Sequence, residues 1–378
     1  MPALFGSRID RTQLLRRVGR LEQVAGVRLV TAGDGVERGV RFLEFRTGTG
    51  FAFDVVVDRA FDIGRCEMNG MPMAWISPPG FGGPWFAETA GFGWFRSFPG
   101  GLVHTAGLDH TLAAGEDSAE QFNQPHLKPT ETYPWMGRVW TLPARLTGYG
   151  ETWIDEDQCV LWAEGVVQQA AVFGENLTLR RRVEARVGES WFRIHDEVEN
   201  TGHTRSTHML LYHCNVGFPI VDDGAQLLVP GPGEATDPNP PGNYRWLGEP
   251  EPDLTERCFE HETITEPDGT VPVGIVNRRI GLGVYQLFNK NQLQHQTTWR
   301  MLGEDHYVVA IEASTNRDAG RWDARERGEL IELAPGERRV YDLEMGALVG
   351  ADEVERFSAR VGRLDPNAGA TPSMASAS

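Results

Sequence analysis

Short alternations of apolar and polar residues, each closed by glycine or proline, run through nearly the whole chain. Successive side chains on a strand point to opposite faces, so this alternation marks half-buried strands. Residues 38–57 carry two such runs around Gly48-Thr49-Gly50, which predicts a hairpin. Residues 177–198 predict a second, turning at Gly188-Glu189-Ser190. Further strands are expected at 208–216, 273–276, 282–288, 295–301, 307–313 and 339–348. The 44 glycines and 23 prolines supply the turns that so many strands require. Beyond the basic N-terminal arm, 1–20, no stretch is expected to hold a helical period for more than about two turns. No strand–helix alternation points to a parallel sheet, and no fixed repeat points to a propeller. The expectation is an all-β fold, one large antiparallel sandwich or barrel over 21–363, with helix confined to the arm and short connections. Residues 364–378 should be a disordered tail. Residues 76–100 are rich in glycine, proline and aromatics, too apolar for disorder and too broken for regular structure, so this loop should pack over core or pocket.

Charge narrows the partners. The chain has 36 basic and 53 acidic residues, a net charge of −17. A nucleic-acid binder needs a basic face and a protein docking on anionic lipid needs basic clusters, so neither partner is expected. No run approaches a membrane span, and the amino terminus has no apolar core of a signal peptide. Cys66, Cys159, Cys214 and Cys258 are far apart with no metal-finger spacing, and read as reduced thiols of a cytoplasmic protein. A homodimer is compatible with the chain.

Chemistry has few places to sit. Alternation sets Met209, Leu211, His213 and Asn215 on one strand face, with Leu210, Tyr212 and Cys214 on the other. His213 and Asn215 are polar intrusions that need a partner or a purpose; His213 is either a core histidine bonded to backbone or a functional group. Val308, Ala310 and Glu312 share a face of the next strand, and Glu312 is either a rim carboxylate paired with Arg317 or a general base. Arg59 and Asp62 follow a strand and either pair with each other or hold hydroxyls. Gly100 and Gly101 before His104 point to close backbone packing against a ligand or another strand. His104, Asp109, His110 and His126 match no familiar metal spacing, so no metal is expected. Arg138, Trp299 and Asn316 complete the candidate ligand contacts. Nucleophile elbow, phosphate loop, dinucleotide fingerprint and zinc-protease motifs are all missing. General acid–base work by one Glu and one or two His remains open.

The segments VDRAFDIG, WISPPG, GGLVHTAGL, LLYHCNVGFP, AIEASTNR and LAPGERRVYDLE, in that order, resemble the aldose 1-epimerase-like proteins of the galactose mutarotase superfamily, in the branch called domain of unknown function 4432. The likeness spans roughly residues 20–350. It implies a large antiparallel super-sandwich with a carbohydrate cleft on one face. It also implies Glu312 as general base and His213 as general acid, with no cofactor. One position departs. Tyr133-Pro134-Trp135-Met136-Gly137-Arg138 stands where this branch carries His-Gly-Arg, so Met136 replaces a histidine. His126 or His104 is then a candidate to take over its contact.

The function so implied is epimerisation at the anomeric carbon of a free or modified monosaccharide. The alternatives are a non-catalytic carbohydrate-binding protein, or a lyase or hydrolase acting on a modified sugar in the same cleft.

Overall fold

The computed structural model describes residues 1–118, 129–235 and 244–368. Among these residues the strands gather into an eight-stranded, a seven-stranded and a five-stranded sheet, with two small ribbons. The 38–57 hairpin forms as Arg41–Arg46 paired antiparallel with Phe51–Val56 in the five-stranded sheet. The second joins Asn176–Arg186 to Trp191–Asn200 within the eight-stranded sheet. Its turn residue Gly188 has φ +86°, and a Cβ there would meet the backbone of Pro2 and Ala3, so the arm lies across the turn.

The seven-stranded sheet positions the site. Ser206–Gly217 lies between His306–Ser314 and His104–Leu108, and His295–Gly303 and Arg257–His261 continue the sheet outward. Leu210, Tyr212, Cys214 and Val216 enter the main core with Val309, Ile311 and Ala313. They meet Leu179, Val183, Ile194 and Leu343 of the eight-stranded sheet, which makes the sandwich. Burying each large apolar side chain contributes about 1.5–3 kcal/mol. A one-residue slip would turn His213 and Glu312 into that core, so the packing that stabilises the fold also fixes which side chains face outward.

One charged group is embedded in this core. Arg181, fully buried, donates to Asp62 at 2.8 Å and to Asp196 at 2.8 and 2.7 Å, and Tyr212 Oη donates to Asp196 at 2.6 Å. Buried charges persist only when paired and hydrogen-bonded in this way.

Two expectations need correction. Helix is not confined to the arm and short connections. The arm holds only Arg11–Leu15, capped by Asp10, while Ala351–Leu364 forms the longest helix among the described residues. Val354, Phe357 and Val361, at i, i+3 and i+7, bury against Leu228, Val276 and Leu348, and the charged residues of the helix lie on the other faces. Of the tail expected at 364–378, residues 364–368 are packed, and 369–378 lie outside the described residues. The Asp365 carboxylate accepts from Gly231 N–H at 3.1 Å, and Ala368 is fully buried with its carbonyl accepting from Gln226 at 3.2 Å. The arm itself is anchored, with Leu4 and Leu14 in the main core.

Candidate functional site

The face of Ser206–Gly217 that turns away from the core carries Leu211 and His213, and the facing strand sets Glu312 directly opposite His213. His213 Nε2 and Glu312 Oε1 are 3.4 Å apart, and both side chains are about 4% exposed. They form part of the floor of a cleft of about 860 Å³. One wall is the aromatic loop, through Trp75, Pro78, Pro79, Trp94, Phe95 and Phe98. The other comes from residues 254–256 with Cys258, Trp299, Met301 and His306. Ser77, Leu112, Ala113, Trp135, Met136 and Asp318 complete the lining. A second hollow of about 660 Å³ lies by Trp191, Tyr285 and the C-terminal helix. Its Glu344 is already held by Arg193 and its Arg360 by Glu266.

Hydrogen bonding fixes the histidine. Asn215 Nδ2 donates to the carbonyls of Gly101 and His213, at 3.0 and 2.9 Å, so its oxygen faces His213 Nδ1 at 2.7 Å. Nδ1 therefore carries the proton in the neutral ring, and Nε2 is left bare toward Glu312. Burial pushes His213 down to about 4. Burial first, then the nearby Asp318 and Glu256 carboxylates, pushes Glu312 well above the ordinary carboxylate range. Between two groups that both resist charge, the shared proton rests on Glu312. Glu312 Oε1, 3.4 Å from His213 Nε2, is buried without a hydrogen-bond partner and so is free to engage a ligand.

Of the sequence candidates, His213, Glu312 and Trp299 line the cleft. The Trp299 ring stands edge-on to His213 at 5.4 Å, and its N–H donates to Glu256 at 2.7 Å. Asn215 is close by but spends its amide on His213 and backbone, so it orients the histidine rather than meeting a ligand.

The remaining candidates are committed elsewhere. Arg59 is buried and donates to the carbonyls of Trp140, Gly82 and Ser97 at 3.1, 2.8 and 2.6 Å, clamping the aromatic loop from behind. Asp62 does not pair with it; it accepts from Arg181 and Thr105 in the core. His104 lies behind the wall, its Nε2 accepting from the Trp94 indole N–H at 3.1 Å. Arg138 is bound to Asp109 and Glu131 at 2.8 and 2.9 Å, and Asn316 accepts from Thr111 at 3.0 Å. His126 lies outside the described residues. Gly100 and Gly101 pack against backbone, since a Cβ would meet the carbonyls of Trp75 and Ile63 at 2.5 and 2.8 Å. Met136, which replaces the expected histidine, does line the cleft. Sequence reasoning missed Glu256, Asp318 and His306; only the tryptophans of the loop carried a visible signal. Among the described residues no three His, Cys, Asp or Glu side chains converge as a metal ion would need.

Comparison with known proteins agrees with this layout. No curated protein sequence matches the chain. Among solved structures it is similar to a candidate aldose 1-epimerase from Klebsiella pneumoniae, with TM-score 0.81 and 19% identity, over 94% of this chain and 91% of that one. It is also similar to a galactose mutarotase-like protein from Clostridium acetobutylicum, with TM-score 0.58 and 10% identity, over 85% and 98%. The Slr1438 protein from Synechocystis gives TM-score 0.55 and 14% identity, over 80% and 93%. Likeness at these identities shows the fold, the large antiparallel sandwich of the galactose mutarotase type. The model of the domain of unknown function DUF4432 matches residues 37–347, and the chain belongs to that family.

Proposed function

We propose that this protein is a mutarotase-type sugar epimerase that opens and recloses a monosaccharide ring with Glu312 and His213. The observation that carries this reading is the buried pair itself: a carboxyl and an imidazole 3.4 Å apart on the floor of an aromatic cleft. Ring opening needs the anomeric hydroxyl to lose a proton while the ring oxygen gains one. With the proton resting on Glu312, His213 Nε2 takes the hydroxyl proton and Glu312 delivers its own to the ring oxygen. Opening thus leaves an imidazolium and a carboxylate. Rotation about the first carbon–carbon bond presents the other carbonyl face. Closure then uses Glu312 as base toward the ring hydroxyl and His213 as acid toward the carbonyl oxygen. The pair ends in its starting state with no net proton gained or lost. This order reverses the expected roles, in which Glu312 takes the anomeric proton and His213 protonates the ring oxygen.

Aromatic walls support a carbohydrate ligand, because C–H faces of sugars pack on rings while hydroxyls meet a few polar groups. The four cysteines stand as free thiols, which supports a reducing, cytoplasmic setting. Met136 favours a second reading, a carbohydrate-binding protein without turnover, since a thioether stands where a substrate-contacting histidine was expected. Following anomer equilibration of a panel of free sugars by polarimetry, at trace protein, separates the two. Acceleration that vanishes in Glu312→Gln supports the epimerase. Sugar binding with no acceleration supports the binding protein.

A further inference from the structure

We propose that the cleft selects a sugar bearing a protonated amine over its neutral and anionic counterparts; this rests on reading the cleft as a sugar site. Two carboxylates, Glu256 and Asp318, line it beside the protonated Glu312, and among the described residues no arginine or lysine does. A phosphate, sulfate or uronate group would enter against like charge with no cation to receive it, and like charge at close range is a strong reason for rejection. The Glu256 carboxylate is held by the neutral indole N–H of Trp299, which leaves its charge in place.

The aromatic walls point the same way. The face of an aromatic ring attracts cations, and the effect is largest for tryptophan. Elsewhere in the fold tryptophan faces are covered by internal arginines: Trp140 by Arg59, Trp153 by Arg11, Trp162 by Arg182. Among the described residues none of the four cleft tryptophans, Trp75, Trp94, Trp135 and Trp299, has an arginine so placed. Trp94 is buried and stacks on Phe98 at 4.1 Å, and Trp135 packs against Phe92 and Phe95, so the half-buried Trp75 and Trp299 are the faces left for a ligand.

An independent observation comes from the floor. Glu312 is 3% exposed, and its Oε1 has no hydrogen-bond partner. An ammonium N–H reaching the floor would supply the donor that this oxygen lacks.

The test is a titration of the intact protein, followed by tryptophan fluorescence and calorimetry, with matched sugars. Glucosamine, galactosamine and mannosamine are each compared with the parent hexose, the N-acetyl form, and the 6-phosphate or uronate. At least one amino sugar should bind about tenfold or more tightly than its parent at low salt, as expected when a cation meets aromatic faces and carboxylates together. High salt and N-acetylation should both erase the preference, and the anionic sugars should bind most weakly. Asp318→Asn and Glu256→Gln should bring the amine-to-hydroxyl ratio close to one. Should either variant fail to fold, the salt and N-acetyl comparisons on the unmodified protein decide the matter. The proposal is overturned if no amino sugar binds, or if neutral or anionic sugars bind as well as amino sugars. A protein that equilibrates neutral anomers but shows no amine preference loses this inference and keeps the epimerase reading. Amine-selective binding without anomer exchange does the reverse.

Discussion

His213 and Asn215 stand two positions apart on one face of a single strand, and the histidine Nδ1–H donates to the asparagine oxygen at 2.7 Å. Residues i and i+2 of a strand point the same way, so strand geometry alone brings this pair together. The bond decides which nitrogen faces Glu312.

Asn215→Ala removes that acceptor and leaves the carbonyl of Gly101 without its donor. The ring can then place its proton on Nε2, the wrong nitrogen for accepting one from a sugar. Turnover should fall by about ten- to a hundredfold, within the usual worth of a general base. Nitrogen chemical shifts of His213 should report a mixed tautomer in place of a single Nδ1–H form. An unchanged tautomer alongside reduced turnover would show that Asn215 acts by some other route.

Glu312→Gln keeps shape and removes the transferable proton. Turnover should drop by about 10² to 10⁴ while sugar affinity stays within a few-fold. His213→Asn should lose a similar factor, and the double variant much less than the product of the two, because the pair works as a unit. Single-turnover rates and melting temperatures on the same preparations check this. Well-folded Glu312→Gln with normal turnover would sink the mechanism.

The central strands were legible because burial acts on them with period two. The apolar set Leu210, Tyr212 and Cys214 must go inward, so His213 must go outward, and the same holds for Ile311 and Glu312. The polar residues outside regular strands were not legible. Arg59 and Arg138 have the chemistry to hold hydroxyls, but backbone carbonyls absorb the first and carboxylates the second. Sequence shows what a side chain can bond to, not which partner reaches it first. The walls are harder still. Glu256 and Asp318 come from irregular segments whose path no periodicity governs, so their arrival beside Glu312 is visible only in three dimensions. The C-terminal helix carried a signal that went unread: Val354, Phe357 and Val361 stand at i, i+3 and i+7 among charges.

Arg59 acts on the cleft at a distance, as a positioning residue. Its planar fork holds three carbonyls, two of them, Gly82 and Ser97, within the aromatic loop. Arg59→Lys keeps the charge but cannot match the fork, so buried carbonyls lose their donors at about 1–3 kcal/mol each. The loop should loosen, and limited proteolysis should cut within residues 76–100 faster than in the parent. KM should rise more than kcat falls, because the wall is disturbed while His213 and Glu312 stay in place. A proportional fall in kcat with unchanged KM would contradict a positioning role.

Two buried groups should tilt stability against pH in opposite directions. His208 is fully buried and neutral, with Nδ1–H donating to the Leu108 carbonyl and Nε2 accepting from the Tyr341 hydroxyl, both at 2.8 Å. Burial holds it down to about 4, whereas an unfolded histidine takes its proton near 6.5. Below 6.5 the unfolded chain therefore binds a proton that the folded chain refuses, and His208 costs stability increasingly as pH falls toward 4. The cost grows by about 1.4 kcal/mol per pH unit at most. Glu312 has the opposite sign. Its folded value is raised, so its contribution is fully present below about 4.5, the ordinary glutamate value, and is lost as pH rises toward the folded one. Neutral replacements remove each dependence. Relative to the parent, His208→Gln should gain stability steadily as pH falls from 6.5 to 4, and Glu312→Gln as pH rises above 4.5. Any fixed penalty from altered hydrogen bonds shifts a curve without changing its slope, so the slopes of the two stability differences, from urea unfolding at a series of pH values, are the quantities to compare. A flat difference for His208→Gln would mean that the histidine titrates alike in the folded and unfolded chain. A negative slope for Glu312→Gln would mean that the carboxylate is stabilised as an anion in the cleft, contrary to a proton resting there.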